Sequence, residues 1–131
     1  MPVRLGVIGT GDVASRDYLP ELGRLAGRAE IVAFASRDGE RARAVAAGFD
    51  GARAYAGYAD LLSDPSVDAI LNLTPIGLHA EVTLAALAAG KHVYSEKPLA
   101  GAIHVLAVIA AAQRSAAEGR SVDVSHEEVR A

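Results

Sequence analysis

The segment VRLGVI, residues 3–8, runs without a spacer into GTGD, residues 9–12, and this junction constrains the fold more than any other stretch. Six mostly apolar residues with β-branched Val and Ile read as a strand buried on both faces. The glycines form its exit, and apolar residues then recur at helical spacing at Val13, Leu19, Leu22 and Leu25. A strand that leaves through a glycine turn into a helix is the first half of a β-α-β unit, which requires a parallel partner strand.

The rest of the chain supplies the partners. EIVAFASR (30–37) is a second near-continuous apolar run, and an Arg-, Glu- and Ala-rich helix over 39–47 ends before Gly48. ARAY (52–55) reads as a short third strand and GYADLLSDP as a short helix closed by Pro65. VDAILNLT (67–74) is a strand, GLHAEVTLAALAAG a helix ending at Gly90, and HVYSE (92–96) another strand. Residues 101–118 form a long helix ending near Gly119, and SVDVS (121–125) alternates like a final edge strand. The expected fold is therefore α/β, a doubly wound parallel sheet of about six strands with helices on both faces, a Rossmann fold, as one domain over residues 1–131.

Composition sets the kind of core and removes several functions. Aromatic residues are 5% of the chain, so the core must come from Val, Ile, Leu and closely approaching alanine-rich helices. There is no cysteine, which excludes disulfides, thiolate metal sites and cysteine nucleophiles. The net charge of −3 with scattered arginines gives no footprint for nucleic acid. No run approaches the roughly 18 apolar residues of a membrane span, and the apolar start is too short for a signal-peptide core, so a soluble cytoplasmic protein is expected. No metal site is expected either: His92 and His104 read as structural, and His126 with Glu127 and Glu128 as a solvated tail.

Gly9-Thr10-Gly11-Asp12-Val13-Ala14 is the G-x-G-x-x-A form of the dinucleotide-binding fingerprint, in its required place between first strand and first helix. Gly9 allows the tight turn, Gly11 lets the backbone approach a pyrophosphate with no Cβ in the way, and Ala14 lets helix and strand pack closely. The helix N-terminus then offers free N–H groups to the phosphates. At the end of the second strand, where an acidic residue would bind the adenosine ribose hydroxyls of NAD, the sequence is Ser36-Arg37-Asp38. A small hydroxyl followed by arginine suits a 2′-phosphate, so NADP is preferred over NAD; the competing reading makes Arg37 a solvated residue and Asp38 a helix N-cap.

With these pieces in order, VDAILNLTPIGLHAEVTLAALAAGKHVYSEKPLA (67–100) resembles the Gfo/Idh/MocA family of NAD(P)-dependent sugar and polyol oxidoreductases, through its T-P-x-x-x-H segment and its A-G-K-H-V-x-x-E-K-P block. GTGDVASRDYLPEL and YADLLSDPSVDAI fit the same pattern, so the resemblance covers residues 3–100. It implies that Gly9, Thr10, Gly11, Asp12 and Val13 cradle the pyrophosphate and that Ser36 and Arg37 face the adenosine ribose. It also implies that Thr74 and Pro75 pass beside the cofactor and that His79 lies near its ribose and nicotinamide end. Glu96, Lys97 and Pro98 match the E-K-P signature, with Lys97 as the catalytic residue reaching the nicotinamide ribose and the substrate hydroxyl.

Lys97 follows the carboxyl end of a strand, where ligands of open parallel sheets bind, and an ammonium there can orient or deprotonate a hydroxyl. The family's C-terminal substrate domain is expected to be absent, so a sugar-like substrate requires a second domain. The helix over 101–118 is apolar nearly all round from Ile103 to Ala112, and its second face is expected to be covered by another copy of the chain or by that domain. The competing functional readings are a standalone dinucleotide-binding or sensing module and a CoA-binding α/β domain. The latter gives no reason for T-P-x-x-x-H followed by E-K-P.

Overall fold

The computed structural model describes residues 1–96, 111 and 114–120. The chain divides into two compact units, Met1–Glu96 and Lys97–Ala131, and the first carries the fold. Its strands are β1 (Val3–Ile8), β2 (Ala29–Ala35), β3 (Arg53–Tyr55), β4 (Ala69–Asn72) and β5 (His92–Ser95). All pair in parallel, in the order β3-β2-β1-β4-β5. The expected strand over 121–125 lies outside the described residues, as does most of the helix over 101–118; of the latter, residues 111 and 114–118 are helical.

Alternation along the strands splits the core into two layers. Ile8, Ala33, Ala35 and Ile70 face one side and pack with Leu61, Leu62, Val82 and Ala86, while Val7, Phe34 and Leu71 face the other and pack with Ala14, Ala46 and Leu73. Adjacent strand residues thus enter opposite layers, as the period of two requires. This is why the sequence of the central strands shows no polar alternation.

The helix after the glycine turn is broken rather than regular. A π-helical turn, Ala14–Tyr18, leads into α1 (Leu19–Leu22) and then a 3₁₀ turn, Gly23–Leu25. Pro20 explains the change, since it cannot donate to Arg16 and its ring would crowd that carbonyl. The wider turn resolves the conflict by bonding the Leu19 N–H to the Ala14 carbonyl.

The next helices are α2 (Gly39–Ala46), α3 (Tyr58–Leu62) and α4 (His79–Ala88), the last preceded by a 3₁₀ turn at Ile76–Leu78. Helix α4 ends in a Schellman arrangement: Gly90 has φ 74°, its N–H bonds Leu87, and Lys91 N–H bonds Ala86, both at 3.0 Å. The Lys91 ammonium then donates to the Asp64 and Val67 carbonyls at 2.8 and 2.7 Å, tying this turn to the loop before β4. Asp64 accepts from the Tyr55 hydroxyl at 2.8 Å and from Ser66. Burial pushes the Asp64 carboxyl up, but these hydrogen bonds and Arg53 outweigh it and hold the group below the usual carboxylate range.

Candidate functional site

The strand order reverses direction between β1 and β4, so the loops leaving these two strands flank a crevice at the carboxyl ends, the place where open α/β sheets bind ligands. The glycine turn is pressed against the β4 exit. Gly9 has φ 100°, its N–H donates to Ala35 at 3.0 Å, and the Leu73 N–H returns a bond to Ile8 at 2.8 Å. A Cβ on Gly9 would lie 2.5 Å from the Leu73 carbonyl oxygen and 2.8 Å from the Thr74 nitrogen. Gly9 is therefore demanded by the protein itself, through close backbone approach as well as through the turn.

Gly11 is different. A Cβ there would meet nothing within 4 Å among the described residues, so packing gives no reason for a glycine. Beside it, Thr10 is 3% exposed and its hydroxyl is buried without a hydrogen-bond partner among the described residues. A buried hydroxyl of this kind costs about 1–3 kcal/mol unless something completes it. An open backbone next to an uncompleted hydroxyl suits an oxygen-rich ligand such as a pyrophosphate. Val13 stands exposed on the rim and Ala14 is buried against the sheet.

At the neighbouring exit, Ser36 and Arg37 follow β2, with Ser36 half-buried and Arg37 exposed. Asp38 is the N-cap of α2: one carboxylate oxygen accepts from the Glu40 and Arg41 amides at 3.0 and 3.3 Å. That leaves the acidic residue engaged with the helix. Arg41, which the sequence reading missed, reaches across to Asp12 of the glycine turn at 3.6 Å.

The T-P-x-x-x-H segment is organised by a residue the sequence reading also missed. Asn72, at the end of β4, is fully buried. Its Oδ1 accepts from the Thr74 amide and hydroxyl at 3.2 and 2.6 Å, and its Nδ2 donates to the His79 carbonyl and the Thr83 hydroxyl, both at 3.0 Å. The Thr74 amide fixes which atom is oxygen, since only an acceptor can face it. His79 is 5% exposed, and its Nε2–H donates to the Thr74 carbonyl at 2.5 Å. Here His79 holds the Thr74-Pro75 loop, and Pro75, Ile76 and Gly77 that follow are exposed. Asn72→Ala is expected to lower stability by about 3 kcal/mol in chemical denaturation, since it leaves several buried partners unpaired.

Glu96 lies half-buried just past β5, and its amide donates to the Asn72 carbonyl at 3.0 Å. Its carboxylate accepts from the Tyr18 hydroxyl. Lys97 and Pro98 lie outside the described residues. Among the described residues no three His, Asp or Glu side chains form a group able to hold a metal. No helix among them is long and apolar enough to cross a membrane. An apolar cavity of about 310 Å³ beside Leu5, Leu22, Ile31 and Phe49 lies at the amino ends of β1 and β2, away from the glycine turn.

A parallel sheet with a glycine-rich β1 exit and a switch-point crevice is the architecture of a dinucleotide-binding Rossmann domain. The chain belongs to the Gfo/Idh/MocA oxidoreductase family, described by its NAD-binding Rossmann fold, which it matches over residues 3–126. It is 47% identical over 100 residues to inositol 2-dehydrogenase 3 of Saccharopolyspora erythraea, covering 76% of this chain and 29% of that protein. To the dTDP-3,4-didehydro-2,6-dideoxy-alpha-D-glucose 3-reductase of Saccharopolyspora spinosa it is 46% identical over 98 residues, 75% of this chain and 29% of that protein. Among solved structures, the 3-ketoreductase KijD10 of Actinomadura kijaniata, in complex with NADP and TDP-benzene, superposes with a TM-score of 0.70 at 44% identity, covering 76% of this chain and 30% of that one. The chain thus spans under a third of the length of these relatives.

Proposed function

We propose that this chain is the NADP-preferring cofactor-binding part of a cytoplasmic oxidoreductase that transfers hydride between the nicotinamide and a carbon bearing a sugar- or polyol-like hydroxyl. The observation that carries the dinucleotide reading is the Thr10-Gly11 cradle, a buried hydroxyl without a partner among the described residues beside an open backbone at the switch point. The Thr10 hydroxyl and the amides of the turn would take the pyrophosphate oxygens. Ser36, Arg37 and Arg41 would surround the adenosine ribose, and the Asp38 cap favours NADP because it withdraws the acidic residue that NAD would need. NADP would supply the hydride chemistry when bound. Lys97 would orient or deprotonate the substrate hydroxyl, and a second domain would supply most substrate contacts.

The relatives support the substrate class, one being an inositol 2-dehydrogenase and the other a 3-reductase of a dTDP-linked keto sugar. Calorimetric titration of the 131-residue chain with NADP and NAD tests the cofactor reading, and absence of binding by both would remove it. Arg37→Ala is expected to weaken NADP by about tenfold, the value of one charge-assisted contact, and to leave NAD within about twofold. Equal losses for both cofactors would count against the 2′-phosphate role.

A further inference from the structure

The strand period puts Asn72 on the same face of the sheet as Ile70, beside the apolar layer of Ile8, Ala35 and Val82. A buried amide in such a place is costly unless its hydrogen-bonding positions are filled. Here all four are filled: Oδ1 accepts twice, from the Thr74 amide and hydroxyl, and Nδ2 donates twice, to the His79 carbonyl and the Thr83 hydroxyl. The side chain is therefore anchored on α4 through its nitrogen and directs Thr74 through its oxygen.

The consequence falls on the backbone that leaves β4. The Leu73 amide is bonded to Ile8 at 2.8 Å, the Thr74 amide and hydroxyl are bonded to Asn72, and Pro75 has no amide proton. Three residues in a row thus offer the crevice no hydrogen-bond donor. The adjoining exit from β1 is the reverse: the Thr10 hydroxyl has no partner among the described residues, and the Gly11 backbone is open. The two exits are in direct contact, since a Cβ on Gly9 would lie 2.8 Å from the Thr74 nitrogen.

We propose that Asn72 is a positioning residue for the dinucleotide: by turning both donors of Thr74 inward, it makes the β4 exit a donor-free wall. Ionised phosphates only accept hydrogen bonds, so they are held at the β1 exit alone. The inference rests on the reading of the crevice as a dinucleotide site and deepens it by assigning the two halves of the ligand. With the exits in the order β2-β1-β4, the adenosine lies at β2, the pyrophosphate at β1 and the nicotinamide riboside along β4. Asn72 is fully buried, touches no part of the ligand and acts only through Thr74.

The test compares NADP with 2′-phospho-ADP, which keeps the adenosine, 2′-phosphate and diphosphate and lacks the nicotinamide riboside. Asn72→Val fills the strand position and releases both Thr74 donors. By calorimetry it should weaken NADP about tenfold, the value of about one hydrogen bond, and leave 2′-phospho-ADP within about twofold. A purely structural residue would weaken both ligands together. Thr83→Val supplies the control: it removes one Asn72 contact on α4 without freeing Thr74, so the melting temperature should fall while both affinities hold within about twofold. Equal losses for the two ligands in Asn72→Val, no loss for either, or a selective NADP loss in Thr83→Val would overturn the positioning role and leave the cofactor reading standing. Absence of NADP binding by the wild-type chain would overturn both. Hydrogen exchange on the wild-type chain tests the role without any variant. The Thr74 amide should exchange at least about a hundredfold more slowly than an open amide, both free and with NADP bound. A freely exchanging Thr74 amide, or one released on binding, would overturn the role.

Discussion

Gly9→Ala is expected to cost the domain at least about 3 kcal/mol, a drop of about 15 °C or more in melting temperature for a domain of this size. Two effects add. A side chain at φ 100° is strained by about 1–3 kcal/mol wherever it stands. Here the new Cβ would also lie 2.5 Å from the Leu73 oxygen and 2.6 Å from its carbonyl carbon. Those atoms have no easy retreat, because the Leu73 amide is bonded to Ile8 and the Thr74 amide to the buried Asn72. Relief would require parting β1 from β4 at the centre of the sheet. Thermal unfolding followed by circular dichroism reads the result, and a variant melting within a few degrees of wild type would contradict it.

Gly11→Ala is expected to do the reverse. Its methyl meets nothing within 4 Å among the described residues, and the backbone there is not left-handed. Stability should hold within about 1 kcal/mol, with a small gain from the stiffer unfolded chain. Dinucleotide affinity should fall about a hundredfold, near 2.8 kcal/mol, because the methyl occupies the approach of the pyrophosphate to the backbone. Calorimetry beside a melting curve separates the two effects. Retained affinity would mean that the open face of Gly11 is not the phosphate site.

These variants divide a motif that reads as one unit in the sequence. The G-x-G-x-x-A spacing and the long apolar runs were enough to anticipate the parallel sheet, the order of strands and helices, and the place of the glycine turn. Local spacing carries that much because strand burial and turn chemistry are local properties. The break in the first helix was signalled by Pro20, yet the π turn that accommodates it depends on how the chain is anchored at Ala14. Asn72 escaped notice because a polar residue inside an apolar strand shows its role only when its partners, Thr74, His79 and Thr83, are brought round it. Buried on the Thr74 carbonyl, His79 is likewise explained by partners that spacing alone does not supply. Tyr18 and Glu96 meet only through the fold, and no window along the chain contains both.

The central claim, a nicotinamide dinucleotide seated on the Thr10-Gly11 cradle between the β1 and β4 exits, is tested most directly by titrating the ¹⁵N-labelled chain with NADP and following its backbone amides. The account predicts shifts at Gly9 to Val13, at Ser36 and Arg37, and at Thr74. Shifts confined to the apolar cavity near Leu22 and Phe49, or no shifts at all, would contradict it.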